Sequence, residues 1–134
     1  MNDHCGAFAL TCDGWSSCII CGYFVIMCHW LDPVFDFKSV ILDFKHFLPP
    51  HSAVATEELI MQTLQFWNIE SRVRAITTDN ASEMEPAIDG VCSHLNATFQ
   101  LGLHKDFHVR CACHVINIAA VAASKVFLPN VEKL

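Results

Sequence analysis

The spacing of the apolar residues changes near residue 55, and this change constrains the fold more than any other feature. Before it, three short apolar runs are separated by turn residues, which is typical of buried strands. After it, two segments have apolar residues at every third or fourth position, which is typical of helices that bury one side. Further strand-like runs follow these segments. The pattern therefore predicts the element order β-β-β-α-β-α-β-α.

The predicted elements are short and closely spaced. The strands are predicted at residues 7–13, 23–30, 38–44, 72–79 and 107–111, and the helices at residues 56–67, 84–95 and 113–125. Short connections between the first three strands favour an antiparallel meander, because a parallel return needs a longer crossover. Two helix-to-strand units then predict an α/β fold, with a mixed five-stranded sheet and helices on its faces. In the first helix, Glu57 and Glu58 are expected in the first turn and Trp67 on the apolar side.

Two of the predicted buried strands end in an acid, Asp13 and Asp79. If these strands are neighbours, the two carboxylates can share a divalent cation, and oxygen ligands suit Mg²⁺ or Mn²⁺. Paired ions can activate an attacking oxygen and stabilise a leaving one in phosphodiester chemistry. The structural alternative is that Asp79 and Asn80 cap the second helix, where Ser82 and Glu85 have capping-box spacing. Residue types and spacing alone favour this structural alternative.

The charge distribution argues against a DNA-binding module. The net charge is −6, and the eight Lys and Arg residues are scattered singly, with no basic run. A DNA-binding module normally has an excess of basic residues, because neutralisation of phosphates supplies much of the affinity. Weak or no DNA binding is therefore expected of this chain alone.

The hydrophobic content of 53% does not by itself indicate a membrane protein. The longest apolar run, residues 18–31, is shorter than the roughly 20 residues that span a bilayer, and it contains His29. No basic segment precedes an apolar run at the N-terminus, so secretion is not expected. The eight cysteines are therefore interpreted as reduced thiols, mostly inside apolar runs, in a nuclear or cytoplasmic protein.

The cysteines also permit a zinc-binding hypothesis. Cys18 and Cys21 have the spacing of zinc ligands, and Cys111, Cys113 and His114 could complete a site. The segment between the first two is apolar and lacks the usual turn residues, which disfavours the hypothesis. A thiol hydrolase that uses Cys111 with His114 has no further support, because adjacency in sequence does not make a catalytic pair.

The remaining aromatic and imidazole side chains are interpreted as structural. Trp15, Trp30 and Trp67 are expected in the core, where large aromatic side chains contribute most. His104 and His108 are four residues apart, but their segment contains a glycine and leads into a strand, so they are expected on the surface or in a loop.

Five short blocks, in order, resemble the catalytic domain of hAT-family transposases. They are LTCDGWSS at 10–17, GY at 22–23 with HWLD at 29–32, PHSA at 50–53, ITTDNAS at 76–82 and RCACHVIN at 110–117. Together the blocks cover almost the whole chain. The resemblance implies a ribonuclease H-like fold, whose element order is the one predicted above and in which the first and fourth strands lie side by side.

The resemblance also implies roles for individual residues. Asp13 and Asp79 would be the first two of three acids that hold Mg²⁺ or Mn²⁺ for DNA cleavage and strand transfer. Cys111 and His114 would form the family's Cys-x-x-His element beside them. The third acid of the family is a Glu far downstream, after a helical insertion, and Glu132 comes too early in the order to replace it.

These expectations describe a fragment or domesticated remnant of a transposase. Residues 1–134 would form a single partial domain, the front half of the catalytic domain, truncated before the third acid. The chain alone would be inactive and would hold no metal tightly. It would reach DNA only through other domains of its parent, such as a BED-type zinc finger, and could associate with a full-length relative. The alternatives are a non-catalytic protein-interaction module with the same fold, or a small zinc-binding protein.

Overall fold

The computed structural model describes residues 6–16, 22–47 and 52–131. Its strands and helices are, in chain order, β1 (Phe8–Ser16), β2 (Gly22–Leu31), β3 (Phe37–His46), α1 (Ala53–Trp67), β4 (Val73–Thr78), α2 (Met84–Phe99), β5 (His108–Arg110) and α3 (Ala112–Val131). Single 3-10 turns precede β4 and β5. The predicted α/β class, with a mixed five-stranded sheet and three helices, is confirmed.

The strands form one sheet in the order β3-β2-β1-β4-β5. β1 pairs with β2, and β2 with β3, in antiparallel fashion, because short connections join them. β1 pairs with β4, and β4 with β5, in parallel. The carboxyl ends of β1, β4 and β5 therefore lie at the same edge of the sheet, and we call it the carboxyl edge.

α1 and α2 pack on each other and on one face of the sheet, which we call the covered face. Both helices belong to crossovers that advance in the same direction across the sheet. Right-handed crossovers in one direction place their helices on the same face. The sequence predicts helices on the faces of the sheet, whereas the structure places these two on one face alone.

The core lies between the covered face and the two helices. Its largest fully buried side chains are Phe8, Leu10, Phe24, Ile26, Ile60, Leu64, Ile69, Val73, Ile76, Ile88, Val91 and Leu95. Burial of each such side chain contributes about 1.5–3 kcal/mol relative to exposure. The strand residues in this set alternate along β1 and β2, as a strand with one helix-covered face requires.

α1 begins about one turn earlier than the sequence predicts. Ser52 is its N-cap, and the Ser52 hydroxyl accepts a hydrogen bond from the backbone N–H of Ala55 at 3.2 Å. Because the helix begins at Ala53, Glu57 and Glu58 lie beyond its first turn. The helix ends at Asn68, which adopts the left-handed conformation.

α2 begins at Met84, so the predicted capping box does not form. Glu83 occupies the N-cap position without a side-chain hydrogen bond to the helix. The Ser82 hydroxyl instead donates to the Glu83 carboxylate at 3.2 Å. Pro86 lies in the first turn, where the missing backbone N–H has no intrahelical partner to lose.

α3 differs from the other helices in its packing. Among residues 6–16, 22–47 and 52–131 it makes no extended contact with any strand or helix. Nearly all its described side chains are exposed. Within the same described part of the chain, no helix is long and apolar enough to cross a membrane.

Candidate active site

The two acids highlighted by the sequence lie at equivalent positions of neighbouring strands. The last residue pair between β1 and β4 is Thr11 with Thr77. Asp13 and Asp79 each come two residues later, near the carboxyl edge. Asp79 directly follows β4, whereas β1 does not end at Asp13 as predicted but continues to Ser16, because residues 14–16 still pair with β2. Neighbouring strands lie about 5 Å apart, so the two positions are adjacent at this edge.

Asp13 is exposed and lies between two residues that face the core. Burial raises the pKa of the Cys12 thiol to about 12, and the Asp13 charge adds to this shift, so Cys12 is a neutral thiol. A Cβ atom on Gly14 would lie 3.2 Å from the Phe24 ring. The glycine thus lets β1 pack closely on Phe24 immediately after Asp13.

Asp79 is half-buried and terminates β4 in a tight turn. One carboxylate oxygen of Asp79 accepts a hydrogen bond from the N–H of Ala81 at 3.1 Å. This bond stabilises the turn before α2 rather than the helix itself, because α2 begins only at Met84. Among residues 6–16, 22–47 and 52–131, the other carboxylate oxygen accepts no hydrogen bond.

Two small clefts flank Asp79. One, of about 130 Å³, is shared with Gly14 and Trp15 on the β1 side. The other, of about 140 Å³, is shared with His108 and Arg110 on the β5 side. Asp79 therefore stands between the strand that carries Asp13 and the strand that precedes α3.

Asn80, directly after Asp79, has a side chain with a buried polar atom. Its side-chain oxygen is buried and has no hydrogen-bond partner among the described residues. An unpaired buried acceptor costs about 1–3 kcal/mol, so its position beside Asp79 calls for a partner that is not a side chain of this region. Carboxylate and amide oxygens are the donors that Mg²⁺ and Mn²⁺ prefer. The neighbouring Asp79 and Asn80 therefore supply oxygens of this type at the carboxyl edge, where Asp13 also lies.

β5 contributes a hydrogen-bond chain to the same edge. The Thr78 hydroxyl donates to the backbone carbonyl of Asp79 at 2.8 Å and lies 2.8 Å from Nε2 of His108. With that hydroxyl proton engaged, His108 is the donor in its bond to Thr78. Partial burial lowers the pKa of His108, and the Arg110 charge adds to this, so the ring is neutral at pH 7. Arg110 in turn pairs with Glu85 at 3.1 Å.

Cys111 and His114 are held at the carboxyl edge by the end of β5. The backbone N–H of Cys111 donates to the carbonyl oxygen of Thr78 at 2.8 Å. Cys111 precedes α3 directly, and His114 lies in its first turn. Both side chains are half-buried, whereas Cys113 is exposed.

A family model described as the ZBED1 RNase-like domain matches residues 11–107 of this chain. This match covers well over half of the 134 residues and includes both acids. The chain belongs to this family of hAT transposase-related domains.

Curated relatives of this hAT-related chain support the same assignment. A "Putative AC transposase" of Zea mays is 32% identical over 130 residues, which is 95% of this chain and 16% of the relative. The "Zinc finger BED domain-containing protein RICESLEEPER 2" of Oryza sativa subsp. japonica is 28% identical over 117 residues, which is 86% of this chain and 16% of the relative. The chain thus spans about one sixth of the length of these relatives. No solved structure gives a significant match.

The cysteines of the hAT-related domain do not form a metal site in the described residues. Cys18 and Cys21, two of the five ligands in the zinc hypothesis, lie outside these residues. In residues 6–16, 22–47 and 52–131, no group of three or more His, Cys, Asp or Glu side chains could hold a metal ion. Cys12, Cys92, Cys111 and Cys113 are not in disulfides.

Two tryptophans of the domain are not in the core, contrary to the sequence prediction. Trp15 is 44% exposed and stacks on Tyr23, with ring centroids 5.9 Å apart. Trp67 is 41% exposed, and only Trp30 packs against the core. The signal for Trp15 was available, because strand alternation places it on the same face as the charged Asp13, two residues before.

His108 is likewise not the surface or loop residue that the sequence predicts. It is half-buried in β5 and bonded to Thr78. The sequence contains little signal for this position, because β5 has only three residues and its partner strand lies 30 residues earlier.

Proposed function

We propose that this chain is the front part of a hAT transposase catalytic domain, as a fragment or domesticated remnant, with a partial ribonuclease H-like fold. In this proposal Asp13 and Asp79 supply two carboxylates of a metal site for DNA cleavage and strand transfer. The observation that carries it is the parallel register of β1 and β4, whose last residue pair, Thr11 with Thr77, lies two residues before each acid. Cys111 and His114 would support the same edge from β5.

The donor set accounts for the choice of metal. Bound Mg²⁺ or Mn²⁺ would activate the attacking oxygen and stabilise the leaving oxygen of a phosphodiester. Asp13 and Asp79 would hold such an ion, and the unpaired oxygen of Asn80 would gain a partner. Gly14 keeps the backbone after Asp13 close to Phe24, which positions the carboxylate at the edge.

We also propose that the 134-residue chain by itself neither cleaves DNA nor transfers strands. Two carboxylates leave a metal pair under-coordinated, so an ion would be weakly held. The net charge of −6 repels the DNA backbone. DNA would be reached through other domains of a longer parent, such as a BED-type zinc finger, or through association with a full-length relative. The nucleus or the cytoplasm, without secretion, is the setting that this function requires.

The metal site can be tested by NMR with Mn²⁺ as the probe. Substoichiometric Mn²⁺ should broaden the amide signals of Asp13 and Asp79 and their neighbours before any others, because paramagnetic broadening is local. Replacement of both acids by Asn should abolish the effect. The matched control is Asp32→Asn/Asp36→Asn, in the exposed turn between β2 and β3, which should leave the broadening unchanged. Broadening centred elsewhere would contradict the site.

The inactivity can be tested with supercoiled DNA, in Mg²⁺ and then in Mn²⁺. No cleavage above that of an Asp13→Ala/Asp79→Ala variant is expected. Cleavage that the wild type shows and the double variant lacks would contradict the inactivity while supporting the site. It would mean that another acid of this chain completes the metal site.

A non-catalytic interaction module with the same fold is the second candidate. The observation that favours it is the exposed apolar surface on the sheet face away from α1 and α2. The Mn²⁺ experiment separates the two candidates, since an interaction module has no need of a cation at the carboxyl edge.

A further inference from the structure

Thr56, in the first turn of α1, carries a buried hydroxyl without a partner. The side chain is 0% exposed, and its hydroxyl makes no hydrogen bond to any residue that the structure describes. The two other buried threonines are paired. The Thr63 hydroxyl donates to the Asp43 carboxylate at 2.9 Å, and the Thr78 hydroxyl donates to the carbonyl oxygen of Asp79 at 2.8 Å. A buried hydroxyl without a partner is destabilising, so Thr56 calls for a ligand.

Thr56 lines the cleft that Asp79 shares with Gly14 and Trp15, and we call it the Thr56 cleft. Among its described lining residues, only Thr56, Asp79 and Glu83 have oxygen atoms in their side chains. The cleft measures about 130 Å³, which is room for about four water molecules at about 30 Å³ each. Three oxygen-bearing side chains therefore border one small space.

The two carboxylates of the Thr56 cleft have no positively charged partner. Among the described residues, Asp79 and Glu83 make no salt bridge, and no Lys, Arg or His lines the cleft. One oxygen of Asp79 accepts from the N–H of Ala81 at 3.1 Å, and one oxygen of Glu83 accepts from the Ser82 hydroxyl at 3.2 Å. Two negative charges that border one small space repel each other, so a cation between them stabilises both.

Two carboxylates and a hydroxyl form a suitable donor set for Mg²⁺. This ion prefers oxygen ligands, is commonly bound through one or two carboxylates, and keeps several of its waters. An octahedral ion with three protein ligands retains three waters, for which the cleft has room. Asp79 and Glu83 lie at the two ends of the turn that joins β4 to α2, and the tertiary structure adds Thr56 from α1.

We propose that Asp79, Glu83 and the hydroxyl of Thr56 bind a Mg²⁺ ion in the Thr56 cleft, with water completing its coordination. The site shares Asp79 with the proposed Asp13–Asp79 site. Asp13 does not line the cleft, so the ion in the cleft does not require it. The ion joins the first turn of α1 to the turn before α2. This site is independent of DNA binding and of strand transfer.

Mn²⁺ binding to the full 134-residue chain is the first test, in an Asp13→Asn background that removes the Asp13–Asp79 site. The free Mn²⁺ signal in electron paramagnetic resonance measures the bound fraction. The Asp13→Asn chain should bind Mn²⁺, and Mg²⁺ should displace it. Addition of Glu83→Gln or of Thr56→Val should each raise the dissociation constant at least about tenfold, as loss of an outer-shell partner already does. No binding at millimolar Mn²⁺, or unchanged binding in either double variant, would overturn the proposal.

Matched variants separate coordination by Thr56 from a structural role. Thr56→Ser keeps the hydroxyl and should bind Mn²⁺ as the Asp13→Asn parent does, whereas a loss as large as that of Thr56→Val would overturn the role of the hydroxyl. Thr63→Val is the control for burial, because Thr63 is equally buried in α1 and its hydroxyl binds Asp43. Glu58→Gln is the control for charge, because Glu58 is exposed on the same helix. Both controls should leave the dissociation constant unchanged, and circular dichroism establishes that each variant is folded.

Thermal melting provides a second measurement in the same Asp13→Asn background. A ligand that binds only the folded chain raises the melting temperature. Mg²⁺ should therefore raise that of the Asp13→Asn chain, and by less after Thr56→Val. An equal rise in the two chains would overturn coordination by Thr56.

The reverse comparison tests the Asp13–Asp79 site separately. Glu83→Gln removes a ligand of the Thr56 cleft and leaves Asp13 in place. Addition of Asp13→Asn to the Glu83→Gln chain should therefore weaken the remaining Mn²⁺ binding. If it does not, the Asp13–Asp79 site of the proposed function is contradicted, while Mn²⁺ binding by the Asp13→Asn chain still supports the Thr56 cleft.

Discussion

The covered face and the opposite face of the same sheet, which we call the open face, both carry large apolar side chains, yet only those of the covered face are buried. On the covered face, Leu10, Phe24 and Ile26 are at most 1% exposed, beneath α1 and α2. On the open face, Ile41 and Phe44 are more than half exposed. The difference arises from topology, because the two crossovers advance in one direction and place both helices on one side.

This contrast separates two uses of apolar residues in one sheet. The covered face stabilises the fold, whereas the large apolar side chains of the open face remain exposed. The acids Asp13 and Asp79 lie at the carboxyl edge between the two faces, next to Gly14 and Trp15. At this edge, Gly14 packs against the buried Phe24, whereas the side chain of Trp15 faces away from the core.

The largest expected difference in the free energy of unfolding is between Ile26→Ala in β2 and Ile41→Ala in the neighbouring β3. Ile26→Ala should lower the free energy of unfolding by about 2–5 kcal/mol, because it leaves a cavity in the core. Ile41→Ala should change it by less than about 0.5 kcal/mol in the monomer, because this side chain is 55% exposed. Urea unfolding, at a protein concentration low enough to keep the chain monomeric, measures both. Similar losses for the two variants would mean that the open face is buried in the folded chain.

An intermediate loss of stability is expected for Gly14→Ala. Gly14 follows Asp13 near the carboxyl edge and packs against Phe24 of the covered face. The new Cβ would approach the buried Phe24 ring to 3.2 Å, so the free energy of unfolding should fall by about 1–3 kcal/mol. Gly6→Ala is the control, since nothing lies within 4 Å of a Cβ there.

A double-mutant cycle sharpens the Gly14 prediction. In a Phe24→Leu background the smaller side chain relieves the contact, so Gly14→Ala should cost less than it does in the wild type. Equal costs in both backgrounds would show that the Phe24 contact is not the reason for the glycine.

The smallest expected effect is the pH dependence from His108. Its pKa is lowered in the folded chain, so the unfolded chain binds more protons between that lower value and 6.5. Stability should therefore fall as the pH decreases from about 6.5 towards the folded pKa, and His108→Asn should reduce this slope. Thermal melting across this range measures it. The exposed His104→Asn is the control, and an unchanged slope in His108→Asn would refute the assignment.

The order and type of the elements could be predicted from local patterns. The apolar runs before residue 55, and the helical segments and strand-like runs after it, predict the observed order of strands and helices, although β5 is shorter than predicted. The ends were less predictable: α1 begins at Ala53 because Ser52 provides a cap ahead of the apolar stripe. The capping box at Ser82 failed, because the Asp79 turn delays the start of α2 to Met84.

The candidate site was partly predictable for the same reason. Asp79 was identifiable as a strand-end acid, whereas Asp13 lies within β1, three residues before its end. The hAT motifs indicated both acids. Their adjacency depends on the pairing of β1 with β4, which joins segments more than 60 residues apart. The bond of His108 to Thr78 depends on the pairing of β4 with β5, for which a three-residue strand gives almost no local pattern.

The sequence by itself determined the α/β class, the element order and the hAT relationship, because these depend on local periodicity and on short motifs. Only the tertiary structure decided which side of each apolar strand is buried. Ile41 is 55% exposed although it lies in an apolar run between Val40 and the buried Leu42, and this run does not show which of its side chains face the core. The handedness and direction of the crossovers decide it, since they place α1 and α2 on one face and, among residues 6–16, 22–47 and 52–131, leave the other face uncovered.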